Sequence, residues 1–540
     1  MRQPRTSDSN MPPASETRST SSNESSERSQ KQAEEHRTPR GFGSTRVVVV
    51  LLVAAAYTPL RGYIGNIEKF PHPERLVMIV LGYLALGLGW FVLFERLGFK
   101  REASLVSSLA FVLLASSGGT LAASSSTAIG LLIFLGVAIA GALLVNRVPG
   151  GLGAFIALGT FAFLVVGLAL SWSPTERPTQ SMGQTVSSSM PTTLSVRPDV
   201  FLVLLDGFPG DRAIQEVYDS GIAFAESDGI ARPEAWSSYP MTIASVASLL
   251  DMGYPLGDGD LVDEGSSEVL AQVMSGDNQF TRILDTNGYH VTYVESGYSR
   301  SYCAEIVDNC IESAFLDEGT HWILAQSILG MKLRERTGSA FTEGALHTMD
   351  WLGANVEAFA DNDQHDFVFA NVLAPHPPLF LDSQCEVVFE YWRVGNSVYA
   401  GDEIIGDRQE ALIDQSKCVS AFEDRFFIDA PEDSVVMFLS DHGGDSLGQM
   451  SKADRVWDDT DVIERLNVHL AIRTPVECSF GTEVLLSEVL RDLLWCFAGT
   501  EPQSQHLIAR MFTASRIEGT SDYELEELTS SEMEAIGVSG

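Results

Sequence analysis

Cysteine is missing from the first 302 residues of this 540-residue chain, and basic side chains are scarce in the remainder. Residues 1–197 hold 17 Lys and Arg against 11 Asp and Glu, whereas residues 198–540 hold 18 against 61. An acidic surplus of that size repels polyanions at long range, which argues against nucleic acid as a partner and against tight docking by charge on anionic lipid. With no CxxC and no Cys/His cluster, no structural zinc site is in view. A phosphate-cradling glycine-rich loop, a basic aromatic patch and an internal repeat are missing as well. Charge is also sparse across residues 46–172, where long apolar runs dominate. A solute or ion path needs polar groups at membrane depth, so these runs read as an anchor rather than a transporter.

The length allows two or three folding units, and composition divides the chain. Residues 1–45, rich in Ser, Arg, Glu and Pro, read as a disordered cytoplasmic tail. Residues 46–172 read as a transmembrane region of about five helices. Leu76–Phe94, Ala103–Ala123, Ala128–Val145 and Gly151–Trp172 are each long enough to cross about 30 Å of hydrocarbon. Val47–Leu60 is shorter and needs its flanks. With the tail inside, the inner segments carry Arg37, Arg40, Arg46, Arg96, Lys100, Arg101 and Arg147, the positive-inside bias; the first outer loop has Arg61, Lys69 and Arg75. Five spans place everything after a Ser/Thr/Pro-rich linker at 173–197 outside, making the expected protein a multi-pass plasma-membrane one. All six cysteines (Cys303, Cys310, Cys385, Cys418, Cys478 and Cys496) lie in that outer part, as disulfides in an oxidising compartment would require. Neighbours in sequence are the preferred pairs, Cys303/Cys310, Cys385/Cys418 and Cys478/Cys496, although sequence does not choose among the pairings.

Within residues 198–500, three apolar runs read as strands buried on both faces. Asp199–Leu205 stops at Asp206-Gly207, Ser434–Ser440 at Asp441-His442-Gly443-Gly444, and Asp366–Leu373 shortly before His376 among prolines. Ligands of open α/β sheets bind beyond the carboxyl ends of the strands, where these residues would gather. Carboxylates with imidazole suit Mn(II), Mg(II) or Zn(II). A nucleophile is offered by Thr242, which follows Pro240-Met241 and begins a small, apolar helical stretch. A hydroxyl there meets the partial positive charge that favours phosphate, and a simple N-cap is the plain alternative. Val484–Phe497 has helical periodicity, and the Glu-rich end at 501–540 reads as a solvated acidic tail.

The order Asp-Gly after a strand, Tyr239-Pro-x-Thr242-x-x-Ser245-x-x-Ser248-Leu-Leu-x-Met252, Pro375-His376-Pro377-Pro378 and Ser440-Asp441-His442-Gly443 resembles the sulfatase-like branch of the alkaline phosphatase superfamily. That branch includes lipoteichoic acid synthases and lipid A phosphoethanolamine transferases. The resemblance implies an N-terminal transmembrane α-helical bundle plus an α/β soluble domain with a mostly parallel central sheet. It implies a divalent metal held by Asp206, Thr242, Asp441 and His442, Thr242 as the nucleophile that becomes phospho-threonine, and His376 against the substrate phosphate or leaving group. Gly444 precedes Asp445 where transferases commonly have Glu, so a role for Asp445 is not implied. Arg465 and Asn467 resemble a late region of relatives that touches substrate, but an ordinary helix-to-strand turn is the preferred reading of both. No Cys/Ser-x-Pro-x-Arg setting is present, so sulfate ester hydrolysis is not implied. The expected reaction moves a phospho-head group from a membrane lipid donor to an envelope glycan or lipid acceptor. A tethered phosphodiesterase or phosphatase, and an inactive envelope scaffold, are the alternatives.

Overall fold

The computed structural model describes residues 44–65, 73–117, 139–140, 143–147, 190–222, 224, 229–263, 268–295, 303–312, 323, 340–360, 364–388, 391, 405–447, 450, 456–500, 510–517 and 522–538. The expected disordered tail, the spans Ala128–Val145 and Gly151–Trp172 and the linker fall wholly or mostly outside the described residues.

Among the described residues the N-terminal region includes α1 (Ser44–Gly65), α2 (Pro73–Arg96) and α3 (Arg101–Ser117). Flanking residues extend the short Val47–Leu60 run to a helix of 22 residues, about 33 Å long, with Pro59 inside it. The three pack through Leu51, Ala55, Tyr83, Phe91, Leu105 and Val112. Polar side chains pair across the seams, Trp90 Nε1 donating to Ser107 Oγ at 2.9 Å and Thr58 Oγ1 meeting Ser116 Oγ at 3.0 Å. Facing outward on α2 are Val77, Met78, Leu81, Leu86 and Leu93, all exposed. Among the described residues one helix, Glu74–Arg96, is long and apolar enough to cross a membrane.

The soluble domain is built on a mixed sheet. Its strands among the described residues are β1 (Val200–Leu205), β2 (Ile230–Ala231), β3 (Tyr289–Glu295), β4 (Asn309–Glu312), β5 (His365–Val372), β6 (Val435–Ser440) and β7 (Leu470–Arg473). They lie in the order β2-β7-β6-β1-β5-β3-β4. The run β6-β1-β5-β3-β4 is parallel, and β7 is antiparallel to both β6 and β2.

Alternate residues of β1 enter two separate cores. Val200, Leu202 and Leu204 pack with helices α4 (Thr242–Leu250) and α8 (Leu486–Ala498) through Val246, Leu250, Leu490 and Leu493. Phe201, Val203 and Leu205 pack on the other face with α5 (Ala340–Ala360) and α6 (Ile405–Asp429) through Leu352, Val356, Phe422 and Phe426. Helices on both faces explain why β1 and β6 are apolar at nearly every position. A further helix, α7 (Asp459–Leu466), leads back toward β7 and starts with a capping box between Asp458 and Asp461.

The disulfides are the three neighbouring pairs, Cys303–Cys310, Cys385–Cys418 and Cys478–Cys496. In the acidic end, residues 510–517 and 522–538 depart from expectation, because they are folded. Strands Phe512–Arg516 and Asp522–Glu527 pair with each other, and the latter also pairs with Leu261–Asp263. Composition suggested solvation, yet a strand alternates its faces: Leu525 is buried between exposed Glu524 and Glu526.

Candidate metal centre and nucleophile

Parallel register assembles the site. Leu205 of β1 lies level with Val372 of β5 and Ser440 of β6, so Asp206 and Asp441 leave adjacent strands at the same height. Both carboxylates are fully buried. Gly207 turns the chain at φ 77°, a conformation that a residue bearing Cβ rarely adopts, and its amide donates to Asp441 Oδ1 at 3.1 Å. Ser440 Oγ accepts from the Phe208 amide at 2.8 Å and donates to the His442 carbonyl at 2.6 Å, tying the two strand ends together.

His442 Nδ1 lies 2.9 Å from the Gly443 carbonyl, which can only accept. That contact assigns the proton to Nδ1 and leaves the Nε2 lone pair facing the site. Nε2 stands 3.0 Å from Thr242 Oγ1, 3.4 Å from Asp441 Oδ2 and 3.6 Å from Asp206 Oδ1. His376 sits between the cis bonds Ala374–Pro375 and Pro377–Pro378, and its Nδ1 is likewise bonded to a carbonyl, that of Pro377. Ligand atoms of Asp206, His376 and His442 fall within 4.8 Å of one another. Sequence reasoning gave His376 only a contact to substrate, whereas the structure puts it in the cluster of possible metal ligands.

The donor set fits a divalent cation. Asp441 Oδ2 is buried without a hydrogen bond. Burial pushes the Asp441 carboxyl up to about 6 and the His376 imidazole down to about 4, and it holds His442 well below its ordinary value; the Arg465 guanidinium adds to the effect on both histidines. Two neutral imidazoles beside two buried carboxylates make a mixed N/O ligand cage for a cation such as Zn(II) or Mn(II).

Thr242 is the first residue of α4, and Met241 occupies the N-cap without a side-chain bond, so Thr242 is not the cap. Its hydroxyl donates to His442 Nε2, where the first-turn amides of α4 also lack intrahelical acceptors. One turn on, Ser245 Oγ donates to the Asp441 carbonyl at 2.5 Å and meets Ser237 Oγ at 2.8 Å. The start of the helix is thereby fastened to the strand end that carries the ligands.

Arg465 and Asn467 do structural work. Arg465 is buried and donates from Nε to the Pro240 carbonyl at 2.7 Å and from Nη1 to those of Gly443 and Gly444 at 3.0 and 3.4 Å. Asn467 Oδ1 accepts from the Ala213 amide at 3.1 Å, and its Nδ2 donates to Ala235 at 3.3 Å. The turn reading is the better one for both.

Two supporting residues went unnoticed in the sequence. Buried Glu464 accepts from Tyr218 Oη at 2.7 Å, from the Ser446 amide at 2.8 Å and hydroxyl, and from the Leu447 amide at 3.2 Å. Gln415 of α6 accepts from the Phe380 and Leu381 amides at 2.9 Å each and donates to the His376 carbonyl at 3.4 Å. The extra glycine also has an explanation, since a Cβ on Gly444 would overlap Tyr218 Oη. The capping box before α7 could have flagged that helix as important; nothing local marks Gln415.

No family model and no curated protein matches the chain. Solved structures similar to it include a 2-O GAG sulfatase at 13% identity, covering 60% of this chain and 79% of that one with a TM-score of 0.40. The C-terminal periplasmic domain of EcEptC from Escherichia coli is similar at 10% identity, over 63% and 94% of the two chains, with a TM-score of 0.37. Phosphonate monoester hydrolase of Agrobacterium radiobacter matches at 14% identity over 60% and 82%, with a TM-score of 0.35. Those values are low, so the chemistry of this site is taken from its own residues.

Proposed function

We propose that the chain is a metal-dependent phosphoryl-transfer enzyme with Thr242 as nucleophile, acting on phosphoesters at a membrane surface. The observation that carries this reading is the convergence of buried Asp206, His376, Asp441 and His442 around a threonine hydroxyl at the start of a helix. Asp206, Asp441, His442 and Thr242 would hold the cation, with His376 at its edge or against the substrate. When bound, a divalent cation supplies the positive charge that lowers the pKa of a hydroxyl and offsets the charge of phosphoryl oxygens.

In the first step Thr242 Oγ1 forms a bond to phosphorus, the bond from phosphorus to the leaving oxygen breaks, and the hydroxyl proton ends on that oxygen. A second hydroxyl, from a glycan, a lipid or water, then attacks phospho-threonine and returns a proton to Thr242 Oγ1. Helix α4 contributes amides and partial positive charge where the phosphoryl oxygens would rest. His442 Nε2 has one lone pair, which accepts from the Thr242 hydroxyl here and would go to the cation when one is bound, so that hydroxyl lies beside the ligand position.

A membrane-anchored, extracytoplasmic domain is part of the proposal. The outward apolar face of α2 and the three disulfides support it. A lipid donor follows from the anchor, since tethering raises the donor's effective concentration at the site.

The test is Mn(II)-dependent turnover of a fluorogenic phosphodiester by the detergent-solubilised chain, with mass spectrometry for phosphate on the peptide containing Thr242. Wild type is expected to turn over and become labelled, Thr242→Ala to do neither, and Thr242→Ser to retain part of both. A folded chain without metal binding, turnover or label would leave the scaffold as the better reading. Product analysis with and without a sugar acceptor separates transferase from hydrolase.

A further inference from the structure

The part of the chain that carries the site is strongly acidic, 18 basic against 61 acidic residues over 198–540, so an anionic substrate approaches against a repulsive field. Two arginines lie beside the turn that follows the Asp441-His442 pair, Arg465 against Gly443 and Arg408 against Asp445. Arg465 is committed, with its guanidinium bonded to the carbonyls of Pro240, Gly443 and Gly444.

Arg408 is placed differently. It lies near the start of α6, one turn before Leu412 and seven residues before Gln415, on the same helix face. Leu412 packs where a Cβ on Gly444 would reach it, and Gln415 bonds the His376 carbonyl, so this face looks onto the site. Arg408 faces Asp445, whose Oδ2 stands 3.9 Å from Nη2, at the outer limit of an ion pair. Asp445 is held from its other oxygen, which accepts from the Met450 amide at 3.1 Å. Both side chains keep some exposure, 12% for Arg408 and 17% for Asp445, so a ligand can reach the pair.

We propose that Arg408 is the cation that grips the anionic oxygens of the incoming phosphoester, and that Asp445 is a latch that competes for it and holds it while no anion is bound. The proposal rests on the phosphoryl-transfer reading and adds to it a specificity residue and the displaceable partner of that residue. A long ion pair at a partly open site is weak, so a charge-assisted bidentate contact to phosphate exchanges favourably for it. The latch has a consequence that a purely structural pair lacks. Removing the cation weakens anion binding, whereas removing the carboxylate strengthens it.

The experiment is isothermal titration of inorganic phosphate into the Mn(II)-loaded full chain in detergent, for wild type, Arg408→Gln, Arg408→Lys and Asp445→Asn. Competition by phosphate against turnover of a phosphodiester reports whether the ester uses the same contact. Arg408→Gln is expected to weaken phosphate binding by at least about tenfold, the loss of one charge-assisted contact, and to raise KM for the diester with Mn(II) stoichiometry unchanged. Arg408→Lys should recover part of the loss. Asp445→Asn keeps an acceptor for the Met450 amide, and it should tighten phosphate binding.

If Arg408→Gln binds phosphate as wild type does, or if Asp445→Asn weakens binding as Arg408→Gln does, the latch is overturned while the parent reading stands. Should Arg408→Gln fail to fold, Arg408→Lys and Asp445→Asn still decide by their opposite signs. A wild type that binds neither Mn(II) nor phosphate overturns the parent reading and the latch together.

Discussion

Arg465→Met removes a buried guanidinium that joins the segment before the nucleophile helix to the Asp-His-Gly-Gly turn. Two of its bonds are short, Nε to the Pro240 carbonyl at 2.7 Å and Nη1 to the Gly443 carbonyl at 3.0 Å. Hydrogen bonds from a charged donor contribute about 1.5–3 kcal/mol each, and methionine would fill the volume while leaving buried carbonyls without a donor. The expected loss is roughly 3–5 kcal/mol. For a cooperative unit of about 300 residues that corresponds to a fall in Tm of roughly 6 °C, from the usual unfolding entropy per residue.

A second readout separates tie from bulk stability. If Arg465 sets the position of Thr242 relative to His442, labelling of Thr242 should fall even well below the new Tm. Arg465→Lys keeps the charge but cannot fork to carbonyls on two segments, so it should recover about half of the stability. Thermal unfolding by circular dichroism, with labelling at 25 °C, measures both. A Met variant that melts within about 1 °C of wild type and is labelled normally would refute the idea that this guanidinium holds the site together.

Two further outcomes follow from the geometry. Gly444→Ala should cost about 1–3 kcal/mol, as overpacking does, because Tyr218 Oη cannot retreat without leaving Glu464 at 2.7 Å; the loss should shrink in a Tyr218→Phe background, and a double-mutant cycle with no coupling would refute the clash. Replacing Cys385 and Cys418 by Ser opens a 33-residue loop that ties the His376 segment to α6, with an expected cost of about 4 kcal/mol by loop entropy. Equal Tm values for wild type and the double variant under non-reducing conditions would exclude that contribution.

Much of this protein is readable along the chain. The continuous apolar runs at Val200–Leu205 and Val435–Ser440 required burial on both faces, and the sheet with helices on either side supplies it. Those runs stop at Asp206 and Asp441, so parallel pairing alone brings the two carboxylates together; here local pattern and fold agree. Neighbouring cysteines pair for a similar reason, being close in sequence and in one oxidisable domain.

What only the tertiary structure decided involves residues whose partners are far away in the chain. Composition read the last forty residues as a solvated tail, while buried Phe512 and Leu525 hold the strands Phe512–Arg516 and Asp522–Glu527 on the domain, because a strand needs only every second residue to be apolar. Arg465 reads in sequence as part of an ordinary helix-to-strand turn, and only the fold shows that it braces carbonyls 225 and 22 residues away. Gln415 had no local signal, and for Glu464 the capping box marks only its helix, since a single polar residue on an amphipathic helix has the same pattern whether it faces water or holds a loop. Their roles arise only when packing removes water and makes each buried amide and carboxylate find a partner.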